Sequence, residues 1–266
     1  MEVVMARSLL ISLISFSCII SSGDNTTNVH TKGASSSIHI KQIGYTNQAT
    51  VYCGLSQGNY TTHTCTRADI DITSTGDNNV AKAYSQWSNH SDNTFSITQT
   101  GDSNYGYLDL DKNDNTGTVT QTGDNNHGEV LMAGNDNVYG ISQTGNDKYA
   151  KMYAFGDNAD STITQSGTGQ HNGYIYNANN ADNNSSTITQ SGSGNHDADI
   201  WWYADSDDGV ASITQSGSGN HTARLNFYND DWNVDVTQSG TTNKSFTATY
   251  NCISNCTKTL TITQYD

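Results

Sequence analysis

Four histidines share one offset: His127, His171, His196 and His221 each lie six residues after a glutamine of a repeated motif. The last three belong to consecutive copies, and stacked as β layers they would stand about 5 Å apart. Such a column could ligate a transition metal, or repel itself once protonated. Tyr105, Tyr149 and Lys244 hold the same offset in other copies. The position therefore reads as a turn exit open to any polar or aromatic residue, where solvent weakens repulsion. Aspartates cluster at Asp111 and Asp114, Asp157 and Asp160, Asp205, Asp207 and Asp208, and Asp230 and Asp231. Calcium can bridge carboxylates, but these spacings match neither an EF-hand nor a calcium-binding nonapeptide. They read as solvated arcs whose charge guards sticky β edges. Ser166-Gly167, Ser191-Gly192 and Ser216-Gly217 recur in phase, as turn entries rather than nucleophile elbows. A catalytic group is normally single and asymmetric, so the expectation is no enzyme, no cofactor and no metal centre.

The elements that carry these residues follow from an internal period. A motif Ile-Thr-Gln-Ser/Thr-Gly recurs with its anchor at Gln42, Ser74, Gln99, Gln121, Gln143, Gln165, Gln190, Gln215, Gln238 and Gln264. Two residues later stand Gly44, Gly76, Gly101, Gly123, Gly145, Gly167, Gly192, Gly217 and Gly240. Five residues after the anchor come Asn47, Asn79, Asn104, Asn126, Asn195, Asn220 and Asn243, with Lys148 and Gln170 in the other two copies. Gly and Asn tolerate positive φ, so this is a tight turn. An alternating strand precedes it and another follows it. The sequence predicts an all-β solenoid of about ten stacked strand–turn–strand repeats, because one unit cannot bury its apolar face alone. Alternation puts the Ile or Val at anchor −2 and the Gln inside. Layers at about 4.8 Å then let each Gln and Asn bond its own copy above and below, as in cross-β ladders.

Those ladders answer a shortage evident in the composition. The 266 residues are 33% hydrophobic and 14% charged, with no proline. Both fractions are low for a globular domain, yet 15 Tyr, 5 Phe and 4 Trp argue against disorder. A buried amide is costly unless paired, and identical residues in register pair automatically. The net charge of −15 argues against nucleic-acid partners. No apolar run after the first 20 residues spans a membrane, so no stable insertion is expected.

Residues 1–22 read as a signal peptide: Arg7, the apolar run Leu9 to Ile20, then small residues, with cleavage near Ser22 or Gly23. Residues 23–37 read as a disordered N-terminal segment and 38–266 as the solenoid. Cleavage removes Cys18 and leaves four cysteines, which suits an oxidising compartment. The near-neighbour disulfides Cys53–Cys65 and Cys252–Cys256 are the simplest pairing.

Outward positions on the first strand form two hydroxyl columns: Thr98/Thr100, Thr120/Thr122, Ser142/Thr144, Thr164/Ser166, Thr189/Ser191, Thr214/Ser216 and Thr237/Ser239. Similar arrays mark some ice-binding solenoids, although Thr also simply favours strands. Tyr105, Tyr107, Tyr149, Tyr153, Trp201 and Tyr203 on the second strands are candidates to face outward as a contact surface. The last copy, Leu260 to Gln264, is expected to present an edge that templates another subunit.

The repeat resembles the curlin repeat of the bacterial curli family. Gln42-Ile43-Gly44-Tyr45-Thr46-Asn47-Gln48-Ala49 fits the family's Gln-x-Gly-x-x-Asn-x-Ala; Ser74 to Ala81 and Gln143 to Ala150 fit with one change each. The resemblance implies a secreted, extracellular, cell-surface subunit of an amyloid-like fibre for biofilm matrix or adhesion. It implies self-association, with a nucleator subunit and an outer-membrane secretion channel as further partners. The alternative is a monomeric secreted solenoid that binds a surface, as an ice-binding protein or adhesin, through its Thr/Ser face. The family also places a Gln four residues after the Ala; Cys53, Ser85 and Ala154 stand there instead. In the copies anchored at Gln190 and Gln215 the apolar phase moves by one residue, which predicts an extra residue in the turn.

Overall fold

A computed structural model describes residues 9–12, 15–21, 23–54, 65–85, 92–111, 114–134, 136–156, 158, 160–178, 184–203, 209–228, 231–251 and 257–266. These residues form strands, bridges, turns and bends and no helix, so none is long and apolar enough to cross a membrane. The chain winds as a parallel β-solenoid, each turn contributing a first arm before its anchor and a second arm after it.

Second arms build one long sheet in chain order. Its strands include Thr26–Ala34, Gln48–Cys53, Ala81–Ser85, Tyr107–Asp111, Glu129–Ala133, Lys151–Phe155, Gly173–Ala178, Ala198–Tyr203, Ala223–Phe227 and Thr247–Tyr250. First arms form Ser15–Ser21, Ser37–Ile43, Asp69–Thr73 and Thr94–Ile97 at one end, and Gly209–Ser212, Trp232–Val236 and Lys258–Ile262 at the other. Between them the arm is carried by a three-stranded sheet of Thr120–Thr122, Ser142–Thr144 and Thr164–Gln165 and by single parallel bridges such as Thr116↔Val138 and Val138↔Asp160.

Alternation sets the core. At anchor −2, Ile40, Ile72, Ile97, Val119, Ile141, Ile163, Ile188, Ile213 and Val236 are all buried. Each such side chain stabilises by about 1.5–3 kcal/mol relative to exposure. Facing them from the second arms are Ala49, Val51, Leu108, Val130, Met152, Ile175, Ile200 and Leu225. Where the resemblance noted above would place a second Gln, Cys53, Ser85 and Ala154 are buried in one register with Leu110, Met132, Asn177, Trp202 and Phe227. Trp202 and Phe227 meet at 4.5 Å between ring centroids. Gly209 makes the room: a Cβ there would lie 2.3 Å from the Trp202 ring.

The extra turn residue is present. Met152, nine after Gln143, pairs with Ile175, ten after Gln165, and the longer turn continues through Ile200 and Leu225. One expectation fails. Thr26–Ala34, read as disordered, is a strand paired with Gln48–Cys53. Asn25, Val29 and Thr31 take buried positions there, so the segment is a polar-rich turn arm. Its anchor position is held by Ile20, which pairs with Gln42, and the absent Gln hid the copy. Leu9–Ser12 and Ser15–Ser21, inside the expected signal peptide, also pair as strands with Thr26–Ala34 and Ser37–Ile43.

Candidate functional site

The interior amide ladder is continuous through eight glutamines. Each donates from Nε2 to the Oε1 of the next: Gln99 to Gln121, Gln143, Gln165, Gln190, Gln215, Gln238 and Gln264, at 2.6–2.9 Å. Ser74 interrupts the column, so Gln42 stands apart and donates instead to the Gln48 carbonyl at 2.9 Å. Its Oε1 is buried without a hydrogen-bond partner. A second ladder runs along the turns with the opposite polarity: Asn126 donates to Asn104, Asn104 to Asn79 and Asn79 to Asn47, at 2.7–2.8 Å.

The asparagine ladder stops there. Asn195, Asn220 and Asn243, expected to continue it, are exposed at turn tips. The longer turn is the reason: it rotates the Asn outward and the next residue inward. His171, His196 and His221 are fully buried in its place. Their rings stack at 4.8 Å with interplanar angles of 3°. Each Nε2 meets a backbone carbonyl of its own turn, Ser166, Ser191 and Ser216 respectively. The Nδ1 atoms of His171 and His196 face Gly194 O and Gly219 O, each at 3.1 Å. Burial pushes the His171 pKa down to about 4, with His196 and Lys148 adding to the effect and the carbonyls opposing it. Burial also lowers that of His196. His127 sits in a short turn and lies outside the core, edge-on between Tyr105 and Tyr149 at 4.7 and 4.8 Å. The solvent-facing reading thus holds for His127 and fails for the other three.

Lys148 joins the two columns. It is buried, and its Nζ donates to Asn146 O, Gly167 O and Gly169 O. Its backbone N–H caps the Asn126 side chain at 3.2 Å. At the far end Lys244 follows His221 and pairs with Asp266 at 2.7 Å. The sequence showed a lysine at an asparagine position, but not that it is buried.

The turn glycines need a different account from the expected one. Gly44 has positive φ, but at Gly76, Gly101, Gly123, Gly145, Gly167, Gly192, Gly217 and Gly240 the left-handed residue is a neighbour. Asp77, Asp102 and Asp124 take φ of 73–75°, which short polar side chains tolerate. The missing Cβ leaves room for the next layer's carboxylate. Asp102 Oδ1 would lie 3.3 Å from a Cβ on Gly76, and it accepts the Asp77 N–H at 2.6 Å. Asp124 does the same over Gly101.

The Cys53–Cys65 disulfide is formed, with Cα atoms 5.5 Å apart; Cys252–Cys256 lies outside the described residues. The hydroxyl columns from Thr98 to Ser239 are half-buried or exposed on the outer face. Trp201 and Tyr203 face outward at about 40% exposure, beside half-buried Tyr105, Tyr107, Tyr149 and Tyr153.

The turn from Leu260 to Gln264 is less covered than those anchored from Gln42 to Gln238. Leu260 and Ile262 hold interior columns yet are 38% and 40% exposed. Gln264 accepts from Gln238 and is exposed.

A search of curated proteins and a search of solved structures each return no match. Residues 113–145, which span the anchors Gln121 and Gln143, match the family model of the curlin associated repeat. With the stacked turns and amide ladder around those residues, the match supports assigning this chain to the curlin-repeat family.

Proposed function

We propose that the protein is a structural subunit of an extracellular, amyloid-like fibre that grows end to end by β-templating. The observation that carries this reading is the continuous amide ladder, in which each Gln bonds its copy in the next turn as in a cross-β stack. Leu260, Ile262 and Gln264 are placed as a core layer and exposed as a surface. A strand edge beside such a layer is a template for another chain. Cleavage near Ser22 would remove Leu9–Ser12 and Ser15–Ser21 and leave Thr26–Ala34 and Ser37–Ile43 as the opposite end. The amides then complement each other: Gln264 carries an Nε2 at the donor end of its ladder, and Gln42 carries a buried Oε1 with no partner. The joint would set one copy's Gln264 against the next copy's Gln42 and give the fibre a polarity. Secretion through an outer-membrane channel, a nucleator partner and a role in biofilm matrix or adhesion belong to the same reading.

The test is seeded growth of the mature chain, followed by thioflavin fluorescence and electron microscopy. Wild-type protein should form unbranched filaments that seed fresh monomer. A Leu260→Lys, Ile262→Lys variant, altered only where side chains are already exposed, should stay folded by circular dichroism and elongate far more slowly. Normal elongation by that variant would remove the last turn from the mechanism. A folded wild-type monomer that never assembles would favour the alternative, a surface-binding solenoid acting through its Thr/Ser columns.

A further inference from the structure

The outer face of the first arms carries a second group of chemistry-bearing side chains, remote from the ladders. Ser37–Ile43 and Asp69–Thr73 are neighbouring parallel strands, with Ser37 opposite Asp69 and His39 opposite Asp71. All four side chains project outward between buried Ile38, Ile40, Ile70 and Ile72. His39 Nδ1 lies 2.9 Å from Asp71 Oδ2, and one ligand atom from each of His39, Asp69 and Asp71 falls within 4.8 Å of the others. His39 Nε2 is 3.1 Å from Ser37 Oγ.

We infer that His39, Asp69 and Asp71 form a binding site for a divalent transition-metal ion of the zinc class. One imidazole and two carboxylates suit such ions, which take nitrogen and oxygen ligands at about 2.0–2.2 Å. Four-coordinate geometry at those lengths sets donor atoms about 3.3 Å apart. The His39–Asp71 pair already stands at that scale, and the exposed Asp69 side chain needs only to swing inward. The metal would take the place of the Nδ1 proton, which leaves for solvent. Metal-bound imidazoles donate their other N–H to an oxygen that fixes the ring, and Ser37 Oγ stands at that place. Ser37 is therefore a positioning residue rather than a ligand. Water can complete the coordination, since His39 and Asp71 are nearly half exposed. Lys41 is the next outward residue on the His39 strand, with Thr73 opposite it.

The position gives the ion a structural consequence. Gln42 and Ser74 bracket the longest spacing between anchors, 32 residues, and Cys53–Cys65 ties that segment from within. A metal bridging His39 to Asp69 and Asp71 would staple the same two turns from outside.

The experiment is a zinc titration of the full mature chain without an affinity tag, in competition with a chromophoric chelator. Unfolding temperature is read in parallel. Wild type should bind with one saturable site at His39 and melt higher with zinc. His39→Gln should lose that site and the zinc-dependent shift while keeping the wild-type circular dichroism spectrum. Asp69→Asn and Asp71→Asn should each weaken binding, and Ser37→Ala should weaken it by about 10-fold or more. His127→Ala should bind as wild type does. Wild-type affinity in His39→Gln, or no saturable binding by the wild-type chain, would overturn the proposal.

Discussion

The turns anchored at Ser74, Gln99 and Gln121 and those anchored at Gln165, Gln190 and Gln215 solve one problem in two ways. Each must fill the same interior position of a tight turn and satisfy the backbone around it. The earlier turns use Asn79, Asn104 and Asn126, whose amides both donate and accept, so each layer completes its neighbour. The later turns hold one more residue and use His171, His196 and His221, whose rings stack and bond backbone carbonyls. An amide column is indifferent to pH across the physiological range; an imidazole column is not. One inserted residue per turn thus exchanges a passive ladder for a titratable one, with the backbone registers of the arms preserved.

Acid should break this symmetry most strongly. Burial holds the folded His171 neutral, with its pKa near 4 against 6.5 in an unconstrained chain. Between those values the unfolded chain binds the proton and the folded chain does not. Stability is therefore whole above pH 6.5 and falls as pH drops toward 4, by on the order of 3 kcal/mol from His171 alone. His196 shifts in the same direction for the same reason. The charges facing the stack do not rescue it: Lys148 adds repulsion at one end, and Lys244 is paired with Asp266 at the other. Hydrogen exchange at pH 7 and pH 4 is the readout. Amides of Ala198–Tyr203 and Ala223–Phe227 should lose protection well before those of Tyr107–Asp111 and Glu129–Ala133. Changing all three histidines to Gln should remove the difference. Parallel loss in both halves of the wild-type chain would show that the stack does not govern the acid response.

Leucine substitutions sharpen the same contrast with a smaller effect. Asn104→Leu leaves Asn79 Oδ1 without its donor and Asn126 Nδ2 without its acceptor. The expected cost is about 1–3 kcal/mol, equal at pH 7 and pH 4.5 in denaturant melts. His196→Leu removes a bond to Ser191 O and a buried ring that resists protonation. Its cost should shrink as pH falls. A pH-dependent cost at Asn104, or a constant one at His196, would contradict the division drawn above.

The glutamine ladder and the Ile/Val column were legible in the sequence because both follow from a period of two within a strand and a fixed repeat between strands. The phase change at Ala198, Ile200 and Trp202 was legible too, since a slip of one residue reverses the faces of a strand. Its consequence one step earlier was not. In Asn195-His196 two neighbouring polar residues compete for a single interior position, and only the path of the turn decides between them. The strand Thr26–Ala34 escaped because Ile20 occupies the anchor and the arm is rich in Thr and Asn, so neither hydrophobic alternation nor the motif marks it. His39 and Asp71 are 32 residues apart along the chain. Nothing in local spacing joins them; the parallel register does.

Lys148 offers the finest test, because it belongs to both regions. Its backbone caps the asparagine column, and its ammonium stands at the head of the histidine column. Burial lowers its own pKa, and its charge helps hold His171 neutral. Lys148→Gln keeps a donor for Gly167 O and Gly169 O but removes the charge. The His171 pKa should then move up toward the ordinary histidine value, and the acid loss of stability should shrink slightly. Titration of the His171 ring by NMR reads the first effect directly, and the pH dependence of the melts reads the second. The change should be smaller than that of either leucine substitution, because burial, which the variant leaves in place, is the larger cause. An unmoved His171 would mean that the ammonium is screened from the ring, and that the two columns meet at Lys148 only through packing.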